Sequence, residues 1–245
     1  MLRHVAALSR LELKLFFRQP RAAFFTLVFP LLLVLVFGSV YGGATLPGTT
    51  LRAIDYMLPG YIGMIIGTTG LMTIPGWVST YREQGIFRRL RVTPTSPVVL
   101  LISQGVVGLT TLTLGTLLLF VTARVAFGAH VPASVLFSTA AILLGAASMF
   151  AFGGMVAAVA GSARTAQAVG MVIYFPMLFL SGALLPRQMM PLGVRRVSDL
   201  LPLSYVNELI GGGWLDGAWK TTASLVLVGV LGVTGAIAAR KFRWE

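Results

Sequence analysis

The chain has 245 residues, 56% of them hydrophobic and only 11% charged, with 19 Lys and Arg against 7 Asp and Glu for a formal net charge of +12. Polar side chains this few cannot cover the surface of a soluble domain of this length, and the bases flank apolar stretches instead of forming a nucleic-acid patch. Cysteine is absent, which excludes a disulfide framework and thiol chemistry.

Residues 1–19 predict an amphipathic helix that Pro20 ends. At about 100° per residue, Arg3, His4, Arg10, Lys14 and Arg18 share an arc of roughly 120°. Val5, Leu8, Leu13, Leu15 and Phe16 lie outside it, as does Glu12, whereas Leu11 falls within it. Such a helix lies along a membrane surface; it serves as a topology anchor or as a contact for a partner. The long basic segment before the first apolar stretch, with no small-residue cleavage site after it, argues against a cleavable signal.

Six apolar stretches follow at Phe24–Tyr41, Met57–Thr80, Val98–Ala123, Ser134–Ala160, Ala166–Leu185 and Thr222–Ala239. Each approaches or exceeds the ~20 helical residues that cross hydrocarbon, and the alternation of a membrane barrel is absent. The expected fold is therefore an all-α integral membrane protein with six transmembrane helices. Six spans place both termini on one side. Thirteen of the 19 bases fall on that side, which makes it cytoplasmic, although the outer segment 186–221 carries four of the other six. The excess of Arg over Lys and the abundance of Ala and Gly suggest a GC-rich bacterial genome, and the expected location is the bacterial plasma membrane.

Glu12, Asp55, Glu83, Asp199, Glu208, Asp216 and Glu245 all read as loop or terminal residues. Proton- and sodium-coupled carriers need ionisable groups inside the membrane, so this chain offers no ion-coupling device. No GxxxxGK[ST] nucleotide loop, HExxH, GxSxG, paired carboxylates or Cys/His cluster occurs. A metal site is not expected from two distant histidines, His4 and His130, and Met189-Met190 reads as packing rather than copper binding. An uphill transporter built on this chain must draw its energy from another polypeptide.

In the second stretch Gly60, Gly63, Gly67 and Gly70 form one stripe. Small residues let helices approach closely in lipid, which reads as packing within the chain, with a subunit interface or sliding contact as the alternative. Ala146, Ala147, Gly153, Gly154, Ala157 and Gly161 give the fourth stretch similar character. Between the second and third stretches, Thr80 and Glu83 have capping-box spacing, Arg88, Arg89 and Arg91 follow, and Pro94 and Pro97 stop the segment. The spacing predicts a short charged helix over 81–94.

That segment resembles the coupling helix of ABC type-2 exporter permeases in its Arg82-Glu83-x-Gly85 start, its basic Arg88, Arg89 and Leu90 middle, and its Thr93-Pro94 end. Leu180-Ser-Gly-Ala-Leu-Leu-Pro186, then Pro191 and Leu201-Pro-Leu-Ser-Tyr205, resemble the family's fifth-span exit and outer re-entrant segment. The N-terminal helix, residues 1–20, resembles its elbow helix. The resemblance covers essentially all of residues 1–245, one transmembrane domain with an extracellular segment at 186–221. It implies a non-enzymatic subunit that pairs with a second copy or a similar permease and docks on two ABC ATPase subunits, which bind ATP and Mg. Arg82, Glu83, Gly85, Arg88 and Arg89 then carry ATPase coupling. Membrane lipids are further partners and nucleic acid is not.

The substrate path would draw on Thr68, Thr69, Met72 and Thr73 in the second span and Tyr174, Phe175, Met177 and Phe179 in the fifth. Such side chains suit an amphipathic drug, antibiotic or lipid, though aromatics and Met in membrane helices also simply pack. A secondary carrier, a membrane-embedded enzyme, and a non-transporting sensor or assembly subunit are the competing readings.

Overall fold

In a computed structural model, residues 2–41, 44, 51–91, 97–184 and 190–241 are described, and they contain helices and connections but no strand. Without water to satisfy it, backbone in hydrocarbon has to bond to itself, and a helix does this locally. The helices of six residues or more are α1 Leu2–Phe17, α2 Phe24–Tyr41, α3 Ala53–Glu83, α4 Ile86–Arg91, α5 Pro97–Phe127, α6 Val135–Val159, α7 Ala163–Leu180, α8 Leu192–Ser198, α9 Pro202–Gly211 and α10 Thr221–Lys241, with shorter helical segments at Pro20–Ala23 and Gly212–Asp216. Six of them, α2, α3, α5, α6, α7 and α10, are long and apolar enough to cross a membrane.

The expected spans correspond one to one with these helices. The largest differences are at the fifth, which begins at Ala163 and ends at Leu180 rather than Leu185, and at the second, which is longer at both ends. Ser162 explains the earlier start of α7: its Oγ accepts the Thr165 N–H at 3.1 Å as an N-cap. Four acids assigned to loops lie within helices instead: Asp55 and Glu83 close the two ends of α3, Glu208 lies in α9, and Asp216 ends the π-helical turn Gly212–Asp216 that follows it.

α3 is the central helix. Its most apolar window is 78% buried, against 22% for α2 and for α10. Around it, Ile54, Leu58, Ile62, Ile65 and Ile66 pack with Leu112 and Leu119 of α5, Met149 of α6, and Leu203, Val206 and Ile210 of α9. The outer helices turn Val36, Val125, Val172 and Leu225 outward, all more than half exposed. Such an apolar collar is a liability in water and is at home among lipid chains.

Prolines shape the spans. α3 widens into a π-helical turn at Thr69–Thr73 just before Pro75, and α2 does the same at Phe24–Val28 before Pro30. Proline lacks the N–H that would bond one turn back and its ring crowds that carbonyl, so a widened turn is the local accommodation. The Gly70 and Leu71 carbonyls at the α3 turn then face α6 and α7. A Cβ on Gly153 would collide with the first and a Cβ on Gly170 with the second.

Candidate functional site

The short charged helix expected over 81–94 forms differently. The Thr80–Glu83 capping box is not made. α3 runs on to Glu83, Thr80 Oγ1 donates back to the Gly76 carbonyl at 2.8 Å, and Glu83 reaches another helix. The helical path breaks at Gln84 and Gly85; Gly85 has φ of 66°, a left-handed conformation glycine adopts without a Cβ clash. α4 then runs from Ile86 to Arg91. Arg89 is exposed, while the side chain of Arg88 and all of Thr93 and Pro94 lie outside the described residues.

Arg82 and Glu83 grip the joint between α6 and α7. The Arg82 guanidinium donates to the Ala157 carbonyl at 3.2 Å and to that of Ala160, the last groups of α6. Glu83 Oε1 accepts the Ala163 N–H, the first of α7, at 2.8 Å. A helix leaves carbonyls without partners at its C-terminus and N–H groups without partners at its N-terminus, carrying partial negative and positive charge. A cation on the first and an anion on the second is the favourable arrangement, so adjacent residues of α3 hold both ends of one turn. Phe87 of α4, given no role by the sequence reading, is fully buried beside Val78, Leu100 and Ala157, which fixes α4 to α3, α5 and α6.

Beside this joint a cavity of about 580 Å³ opens between α1, α3, α5 and α7. Thr68, Thr69, Met72 and Thr73 line it. Tyr174 sits behind it, its Oη 2.7 Å from Thr68 Oγ1 and donating to the Met64 carbonyl at 3.3 Å. Met177 is buried in the core, and Phe175 and Phe179 point outward from α7, 44% and 59% exposed. The eight residues do not make one surface: four share a cavity wall, two are core and two face outward.

Glu12 is the group sequence reasoning missed. It is 5% exposed on the inner face of α1, where Oε1 accepts Tyr81 Oη at 2.8 Å and Oε2 accepts Gln104 Nε2 at 2.6 Å and Trp77 Nε1 at 3.2 Å. Its place opposite the basic arc was the available signal, since an acid on the apolar side of an amphipathic helix needs partners in whatever that side meets. Asp55 plays the corresponding part at the opposite end of α3. It is 1% exposed and accepts the Arg52 N–H at 2.8 Å and the His130 N–H at 2.7 Å, with His130 Nδ1 2.9 Å away.

The glycine stripe of α3 faces inward. Cβ atoms on Gly60, Gly67 and Gly70 would lie 2.6 Å from the Ala183 carbonyl, 2.8 Å from the Tyr174 ring and 2.6 Å from the Met149 carbonyl, and one on Gly63 would overlap the Asn207 amide. All four are buried against their own chain.

Six apolar helices, one of them a buried central span, define a multi-pass membrane protein. The family model of ABC-2 type transporters matches residues 3–213, and the chain belongs to that family. A search of the curated proteins found no match. The chain is thus a transmembrane component of an ABC transporter, a permease that works with ABC ATPase subunits.

Proposed function

We propose that this permease is the membrane half of an ATP-driven exporter that moves an amphipathic drug, antibiotic or lipid out of the cytoplasm or the inner leaflet. The end bearing α1 and α4 faces the cytoplasm with both termini, α1 is the elbow helix, and the α8–α9 segment is re-entrant from outside. Residues 1–245 act as one transmembrane domain. Two permease subunits pair, as identical or similar copies, and each docks through α4 on an ATPase subunit that binds ATP and Mg.

The observation that supports this reading is the double grip of Arg82 and Glu83 on the α6–α7 joint. A push on α4 by a closing ATPase reaches α3 through Gly85, and α6 and α7 through that grip. Three spans then move together, and two of them, α3 and α7, border the cavity. Coupling of this kind needs an element with two packed arrangements, and the joint supplies the handle on it.

The test is co-expression with the ATPase encoded nearby, purification through a tag on this chain, and measurement of stoichiometry and ATP hydrolysis. A complex of two permeases and two ATPases that hydrolyses ATP, and accumulates an amphiphile in inside-out vesicles, supports the proposal. A chain that purifies alone, with no ATPase partner, sinks it in favour of a carrier or sensor.

A further inference from the structure

Resting on that reading, a narrower substrate class follows from the cavity beside α1. Its wall holds one carboxylate, Glu12, whose three bonded partners are the neutral donors of Trp77, Tyr81 and Gln104. Among the described residues no cation lies within ion-pair distance of Glu12. Arg18 also borders the cavity, and its side chain is exposed. A carboxylate this buried is held by hydrogen bonds but not neutralised, and a cation entering the cavity would complete it.

The groups around Glu12 suit one kind of cation. The rings of Trp77 and Tyr81 lie with centroids 4.3 Å apart at 43°, and both border the cavity. Aromatic faces next to a carboxylate attract organic ammonium groups, for which the ring quadrupole and the anion act together. Elsewhere the wall sets Phe16, Met72 and Val107, apolar and partly adaptable, among Thr68, Thr73, Thr111 and Gln167. Thr69 is a polar group of the wall left unpaired: it is 3% exposed, borders the cavity, and its Oγ1 has no hydrogen-bond partner. A buried hydroxyl without a partner is uncommon and costs stability unless a ligand or water completes it. It also lies in the π-helical turn of α3, a distortion that recurs at functional sites.

We propose that this cavity is a binding site for amphipathic organic cations, with Glu12 as counter-ion, Trp77 and Tyr81 around the cationic head, and Thr69 bonding the other end of the ligand. Glu12 is then a specificity-determining residue. A neutral molecule of the same shape gains the apolar contacts alone, and an anionic one meets an uncompensated carboxylate.

The experiment uses the permease–ATPase complex in phosphatidylcholine nanodiscs and three probes with one apolar body: trimethylammonium-diphenylhexatriene, uncharged diphenylhexatriene and the propionate derivative. Saturable binding is read by energy transfer from tryptophan. The cation should bind about tenfold more tightly than the uncharged probe, and the propionate more weakly than both. Glu12→Gln keeps the side-chain shape, and should abolish the tenfold preference while leaving the uncharged probe and the melting temperature unchanged. A purely structural Glu12 would lower all three affinities and the melting temperature together. If Glu12→Gln does not assemble, the wild-type comparison still decides, and Trp77→Phe should reduce the preference severalfold. Equal binding of cation and uncharged probe by the wild-type complex overturns the proposal. ATP hydrolysis by the same preparation reports separately on the exporter reading. A hydrolysing complex with no cation preference refutes the cation site alone, whereas a preparation without bound ATPase refutes the exporter.

Discussion

Arg82→Ala tests the α6–α7 joint directly. The side chain makes two bonds from a charged donor to carbonyls at the end of α6. Bonds to charged groups contribute about 1.5–3 kcal/mol each when buried. Arg82 is half-buried, and water can replace part of what is lost, so the expected cost at the joint is about 1–2 kcal/mol in total. Glu83 is exposed and makes one bond to the first N–H of α7, for which about 0.5–1 kcal/mol is the appropriate scale. At ~1.4 kcal/mol per factor of ten, Arg82→Ala reduces the population of the gripped joint roughly five- to thirtyfold and Glu83→Ala about two- to fivefold. The assay is transport per ATP hydrolysed in proteoliposomes. Arg82→Ala should lower this ratio about tenfold and Glu83→Ala a few fold, with membrane insertion and ATPase binding intact. Both residues act on one turn, so the double variant should fall short of the sum of the singles. An unchanged ratio in an assembled Arg82→Ala complex refutes the reasoning. Parallel loss of hydrolysis and assembly would show that Arg82 holds the complex together rather than transmitting motion.

Three further outcomes follow from the packing. Asp55→Ala removes the acceptor of three contacts at the buried start of α3 and should cost about 2–4 kcal/mol, seen as a lower melting temperature of the purified chain in detergent, whereas His130→Ala should cost far less because the histidine is 47% exposed. Gly70→Ala places a Cβ 2.6 Å from the Met149 carbonyl and should reduce the monodisperse yield sharply, while Gly105→Ala, with nothing within 4 Å, should be neutral or stabilising by up to about 1 kcal/mol. Tyr174→Phe removes the hydroxyl bonded to Thr68 and Met64 and should lower stability by about 1 kcal/mol, measured by thermal unfolding.

The spans were legible because hydrophobic length is a local property: Phe24–Tyr41 follows from its own eighteen residues. The inward glycine stripe was legible in part, since its period marks a close-packed face without saying which helix meets it. What the sequence concealed are contacts between distant segments. Thr80 and Glu83 have the spacing of a capping box, yet α3 extends through them because Gly85, two residues further on, is the better place to break, and Glu83 finds its N–H eighty residues away. Glu12 reads as a charge in an N-terminal helix until Trp77, Tyr81 and Gln104 arrive from α3 and α5. Of the eight residues assigned to a substrate path, those on α3 share a cavity wall. Those on α7 scatter because a helix in a bundle turns only one side toward its neighbours, and Phe175 and Phe179 lie on the other.

The widened turn before Pro75 links residues that no hydrogen bond joins. It turns two carbonyls toward Gly153 and Gly170, and neither position admits a side chain while they point there. In a lineage where Pro75 gave way to a residue with an N–H, that N–H could reclaim the Leu71 carbonyl, the α3 turn could tighten, and both glycines would be free to become alanine. With the proline retained, mutation at either glycine is closed. The three positions, on three different helices, are therefore coupled sterically through two backbone carbonyls.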